Sequence, residues 1–194
     1  MYGSHIIIAD SDTVLQKKLK LILTKAGYSV VGMAEDSLSS LKLIRSRHPD
    51  LIILDANLPG VGGMEVAKVI GESRIAPVVM LISHYQKELI QKCKDSWIFA
   101  YVVKPVNEDN LLSSIEIALL NYQKMLSLEN QVKELKETLE SRKIVEKAKG
   151  MLMKQLSLSE AEAFKKIQKQ SMNKRTTMKA IAEAIILAYE MKED

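Results

Sequence analysis

The chain has 194 residues, 47% apolar and 27% charged, which is ordinary globular material with side chains enough for one or two cores. Its one cysteine, Cys93, cannot close an internal disulfide, and MYGSHIIIAD has no basic leader and no apolar run long enough for a signal peptide or membrane span, so a soluble, cytoplasmic, non-membrane protein is expected. The net charge of +4 belongs to the back alone: residues 1–120 carry 13 Lys+Arg against 13 Asp+Glu, residues 121–194 carry 15 against 11, and residues 141–179 carry 11 against 3. A neutral front and a basic back call for an anionic partner at the back.

In chain order, HIIIAD, SVVGMA, LIILD, VVMLIS and AYVV are short apolar runs rich in β-branched residues and read as buried strands. Between them TVLQKKLKLILTKAG and SLSSLKLIRSRH show helical spacing, the first ending on Gly27 as a helix terminus should. Five strands alternating with helices predict a parallel, doubly wound sheet covered on both faces. Sites in such sheets lie beyond the carboxyl ends of the strands, where Asp10, Asp55, Ser83 and Lys104 fall. Clustered carboxylates repel one another and invite a hard divalent ion such as Mg²⁺. With a metal present an aspartate can attack phosphorus, a lysine ammonium can meet the phosphoryl oxygens, and a serine hydroxyl can bond to the same group.

All four prolines and seven of the eight glycines stand at or before residue 105, so the remainder is expected to be nearly all helix. A long helix should begin near Glu108 and meet no stop signal before Gly150. Along it Met125, Leu128, Val132, Leu135 and Leu139 alternate spacings of three and four, the pattern of a dimeric coiled-coil seam; packing on the protein's own domain is the other explanation. Ser159 and Glu162 form a capping box opening a second helix, and Thr176 or Thr177 can cap a third, MKAIAEAIILAYEMK. Phe164, Tyr189 and the stripe Met151, Leu152, Leu156 are expected in the core of this small three-helix bundle.

Residues 4–120, through IIIADSD, DLIILDANLPGVGGMEV, PVVMLIS and YVVKP in that order, resemble the receiver domain of two-component response regulators. The resemblance implies a flavodoxin-like fold, Asp55 as phosphoacceptor, a sensor histidine kinase as donor, and Mg²⁺ held by Asp10, Asp55 and the Asn57 main-chain carbonyl. It also implies that Ser83, Lys104 and Tyr101 sense the phosphoryl group, Tyr101 swinging inward as Ser83 bonds to it. Three departures stand out. Ser11 replaces the second of two adjacent acids, so Mg²⁺ binding is expected to be weak; Asp12 is a further candidate ligand at a neighbouring position. His84 follows Ser83 where a small residue is usual and reads as a packing or gating side chain. Trp97 and Ile98 stand where Gly-Ala is common, which leaves open whether phosphorylation is still the input.

RKIVEKAKGMLM, LSEAEAFKKIQKQSM and AIAEAII, from about Ser141 to Tyr189, resemble the ANTAR output domain. The resemblance implies binding of paired RNA hairpins in leader transcripts and transcription antitermination. Basic side chains suit the RNA backbone, and the candidates are Arg142, Lys143, Lys147, Lys149, Lys154, Lys165, Lys166, Lys169, Lys174, Arg175 and Lys179, each with a solvated charged face as its alternative. Gly150 would let RNA or a neighbouring helix approach the backbone. The expected organisation is a receiver over 1–120, a coiled-coil linker over 121–140, an ANTAR bundle over 141–194, and a homodimer. A DNA-binding regulator and a phosphorylation-independent protein-interaction adaptor are the other readings. No enzyme motif is visible.

Overall fold

The computed structural model describes residues 3–83 and 96–193; His84 and Cys93 lie outside them. The chain divides into two compact units, Met1–Leu126 and Ser127–Asp194. The first holds β1 (His5–Ala9), α1 (Thr13–Lys25), β2 (Ser29–Ala34), α2 (Ser37–Arg47), β3 (Leu51–Asp55), α3 (Gly63–Ser73), β4 (Val78–Ile82), β5 (Ile98–Val103) and the start of α4 (Glu108–Leu156). The second holds the rest of α4, α5 (Glu160–Asn173) and α6 (Met178–Glu193).

The strands pair in parallel in the order β2-β1-β3-β4-β5. Alternation along each strand builds two cores, because successive side chains leave opposite faces. Ile6, Ile8, Leu51, Ile53, Val79 and Leu81 face one cluster with Leu19 and Leu23 of α1 and Leu111 and Ile115 of α4. Ile7, Ala9, Ile52, Leu54, Val78 and Met80 face the other, with Ile44 of α2 and Val66 and Ile70 of α3. The central β3 and β4 are buried throughout, whereas the edge strands β2 and β5 keep exposed positions.

Helix starts follow from local side chains. The Asp12 carboxylate accepts from the Val14 and Leu15 amides, and Asp36 does the same for Leu38 and Ser39. Asn107 accepts from the amides of Asp109 and Asn110 at the head of α4. Gly27, at φ 86°, follows the α1 cap Ala26 and supplies the left-handed turn.

The helix that begins at Glu108 runs through Gly150 without a break and stops at Leu156, with Ser157 left-handed at φ 51°. The expected divisions at 120 and 140 both lie inside this helix. The Ser159–Glu162 capping box forms in full, and the Thr177 hydroxyl accepts from the Ala180 amide at the start of α6. In the second unit Ala148, Leu152, Ala163, Ile167, Ile181 and Ala182 form the core, with Tyr189 packed half-buried against it.

Two core expectations are corrected. Phe164 is 41% exposed and Leu156 44%. The buried face of α5 runs Ala163, Ile167, Ser171, and Phe164 stands one helical step off it. Leu156 is the last residue of α4 and extends beyond the buried Leu152 one turn earlier.

Candidate functional site

The carboxyl ends of β1, β3, β4 and β5 bring together the acids, hydroxyl and ammonium that the motifs single out. The switch point lies between β1 and β3, where the chain connections diverge to opposite edges of the sheet. Asp10 is fully buried and Asp55 nearly so, at 4% exposure. Between them lies Lys104, its Nζ 2.7 Å from Asp10 Oδ2 and 3.1 Å from Asp55 Oδ2. Burial opposes the Lys104 ammonium, but its hydrogen bonds to Asp10 and Asp55 outweigh that, so Lys104 titrates above its ordinary value.

The remaining carboxylate oxygens are also engaged. Asp10 Oδ1 accepts from the Asp12 amide at 2.9 Å, and Asp55 Oδ1 from the Asn57 amide at 3.3 Å. The Asn57 side-chain amide donates to Ser83 Oγ at 3.1 Å, which joins the β3 and β4 loops. Asp12 spends one carboxylate oxygen capping α1. Tyr101 is 39% exposed on β5 and stands apart from this cluster's hydrogen bonds.

Among the described residues no group of three or more Asp, Glu, His or Cys side chains gathers for a metal. Two buried carboxylates and a main-chain carbonyl still suit Mg²⁺, a hard ion that keeps several waters and takes only one or two carboxylates. Asp10 and Asp55 are the two buried carboxylates here that could hold such an ion.

Several supporting residues escaped the sequence reading. Buried Gln16 donates from Nε2 to the carbonyls of Asp10 and Ala34, fixing the turn after β1. At Gly63 a Cβ would overlap the Asp55 carbonyl oxygen, so only glycine lets α3 begin against the end of β3. Trp97 finds its space the same way: a Cβ on Gly71 would come within 2.6 Å of the Trp97 Cβ. Its indole donates to the Ala76 carbonyl at 2.9 Å, and its ring meets Phe99 and Tyr122 edge-on at 5.5 and 6.0 Å. A large residue at 97 is thus matched by a small one at 71, a pairing only the fold reveals.

The basic bundle divides into paired and unpaired cations. Lys149 is buried, with Nζ 2.6 Å from Glu146 and 2.8 Å from Glu160; these hydrogen bonds raise its pKa, and Lys149 in turn lowers that of Glu160. It braces α4 to α5, so of the RNA-binding candidates it is one already held by carboxylates of its own bundle. Lys147 reaches Glu190 of α6 at 2.9 Å, Lys143 pairs with Glu140, and Lys179 with Glu183. Arg142, Lys154, Lys165, Lys166, Lys169, Lys174 and Arg175 enter no ion pair among the described residues, and five of these seven lie on α5 or the turn after it.

Gly150 has open space around it: among the described residues a Cβ there would meet nothing within 4 Å. On α4, Leu128, Val132, Leu135 and Leu139 are 49–64% exposed, and Met125 is half-buried. No helix among the described residues is long and apolar enough to cross a membrane.

Residues 6–116 match the response regulator receiver domain, and residues 133–186 match the ANTAR domain. The transcriptional regulatory protein PdtaR of Mycobacterium tuberculosis is 37% identical over 182 residues, covering 94% of this chain and 89% of PdtaR. The CheY-like response regulator receiver domain protein from Methanospirillum hungatei is 28% identical with a TM-score of 0.58, over 63% of this chain and 98% of that one. The receiver domain of a modulated diguanylate cyclase from Desulfovibrio desulfuricans is 25% identical, also at TM-score 0.58, over 63% and 98%.

Proposed function

The chain belongs to the response regulators that join a receiver domain to an ANTAR domain, and from that premise we propose that it is an RNA-binding transcription antiterminator controlled at Asp55. In this reading a sensor histidine kinase presents a phosphohistidine. An Asp55 carboxylate oxygen attacks phosphorus, the P–N bond breaks as the P–O bond forms, and the imidazole leaves with the electron pair. Mg²⁺ at Asp10, Asp55 and the Asn57 carbonyl would offset charge on the phosphoryl oxygens. Lys104, already between the two acids, needs only to turn its ammonium toward the new phosphoryl group. Ser83 would exchange its bond from Asn57 for one to that group, and Tyr101 would follow it inward.

The output is read as binding of paired hairpins in leader transcripts by two ANTAR bundles of a homodimer. The receiver would span residues 1–120, the coiled coil 121–140 and the bundle 141–194. The observation that supports the RNA reading is the sorting of cations: among the described residues those on α5 and its following turn enter no ion pair, as suits a phosphate-binding surface, although Lys165 lies near enough to Glu162 to lower its pKa.

Replacing Lys165, Lys166 and Lys169 together by glutamine should lower affinity for every hairpin RNA. It should also flatten the dependence of log K on log salt by roughly 0.7–0.9 for each phosphate that is no longer neutralised. An unchanged slope would mean that these lysines face only solvent. Operator duplex DNA outcompeting the hairpins would favour a DNA-binding regulator. Full nucleic-acid binding after neutralisation of all unpaired cations would leave the surface to a protein partner.

A further inference from the structure

A groove of about 350 Å³ opens between α5 and α6 in the basic bundle. Its floor is apolar: Leu152, Ile181 and Ile185, with Tyr189 at one end. Ala184 and Ala188, one turn apart on α6, keep the facing wall low. The α5 wall is polar and cationic, with Lys166, Gln170 and Lys174 at steps of four along the helix and its cap. No carboxylate lines this groove, and neither lysine is paired with one among the described residues. The larger groove beside Phe164 is different, because three carboxylates, Glu134, Glu137 and Glu146, line it along with the cations Arg142 and Lys179 and leave it net acidic.

An apolar slot with an aromatic end suits a flat heterocycle, and two free ammoniums beside it suit the phosphates on either side of that heterocycle. We propose that this groove seats one unpaired base of the bound RNA loop, against Tyr189 and the Ile181–Ile185 floor, with Lys166 and Lys174 on the flanking phosphates. The assignment rests on the RNA-binding reading above and adds a specificity-determining subsite to it. Gln170 is the group placed to read the base, since a side-chain amide offers both a donor and an acceptor to an exposed base edge.

The test uses the full chain and a set of RNAs with one common stem and randomised loops. The tightest binder is then remade with each loop nucleotide abasic in turn. One abasic position should cost the wild type about tenfold in affinity, the scale of a single base–aromatic stack. Ala188→Leu fills the slot without altering charge. It should cost a similar factor on the intact loop, keep the salt slope, and abolish the penalty of that one abasic position. Ala188→Ser, which leaves the slot open, should bind as wild type and show that position 188 tolerates change. Gln170→Ala should relax base preference at the same loop position.

Undiminished binding by Ala188→Leu, or an abasic penalty that persists in it, would overturn the assignment while leaving RNA binding intact. A wild type that binds no loop better than the bare stem would overturn the parent RNA reading as well. Saturable binding of AMP, CMP, GMP or UMP that is blocked by Ala188→Leu, with loop binding unaffected, would give the groove to a free nucleotide and overturn the RNA assignment.

Discussion

A lysine ammonium lying between two buried carboxylates is the central fact of the receiver site. Lys104 satisfies Asp10 and Asp55 at once, so neither acid is left as an uncompensated charge in the interior. Its raised pKa means that this stabilisation is fully present below the ordinary lysine value and lost only as pH rises through the higher folded value. The pairing therefore persists at neutral pH, and an incoming cation must compete with it. Ser11 adds no carboxylate to that competition, so Mg²⁺ binding is expected to be weak. Incubation with Mg²⁺ and a small phosphodonor should add one phosphoryl group, detectable by mass, and Asp55→Asn should abolish it. Ser11→Asp should tighten Mg²⁺ binding in a titration, because a third carboxylate beside Asp10 and Asp55 has no second ammonium to neutralise it. Unchanged Mg²⁺ affinity would show that residue 11 does not face the ion.

Within elements, Gly150 tests how far helix physics alone accounts for α4. It sits in helical backbone with open space where a Cβ would go, so nothing among the described residues requires a glycine there. Gly150→Ala should raise the stability of the bundle by about 0.5–1 kcal/mol, measured by denaturant unfolding. A loss of stability would reveal a contact at this position that the chain itself does not make. A stabilised variant with weakened RNA binding would place RNA against this backbone. Wherever one local rule decided the outcome, the sequence was a sufficient guide. The five strands, the capping box at Ser159 and the cap at Thr177 each depend on neighbours in the chain. Asp10, Asp55, Ser83 and Lys104 were legible because each ends a strand or directly follows one, and parallel sheets gather such ends. What was not legible depended on partners distant in sequence. Trp97 needed Gly71, Gln16 needed the Ala34 carbonyl, and Lys149 needed Glu160, so composition could only count these residues as a large aromatic, a polar side chain and a cation. Phe164 was not legible for a different reason: a helical pattern of apolar residues is the same one residue off the buried face, whereas burial is not.

Across the whole molecule, the apolar stripe on α4 is the feature that a homodimer would account for. Leu128, Val132, Leu135 and Leu139 are about half exposed or more among the described residues. Exposed leucine and valine at alternating steps of three and four are costly in water, and a second copy of the same helix would cover them by knobs-into-holes packing. A homodimer would carry two basic bundles, and a leader transcript with two hairpins would engage both. The second hairpin then binds at high effective concentration, which can raise avidity by about 10²–10⁴ without any new contact. Phosphorylation at Asp55 would act by shifting the monomer–dimer equilibrium. Leu135 is the seam residue to change, because at 64% exposure it makes little contact within its own chain and its replacement should not unfold the bundle. Leu135→Lys should yield a monomer by sedimentation, lose tandem-hairpin binding by one hundredfold or more, on the order of that avidity, and keep single-hairpin affinity within about twofold. Equal losses on both RNAs would refute avidity as the source of tight binding. Full-strength tandem binding by the monomeric variant would show that one bundle suffices and that the stripe serves another partner.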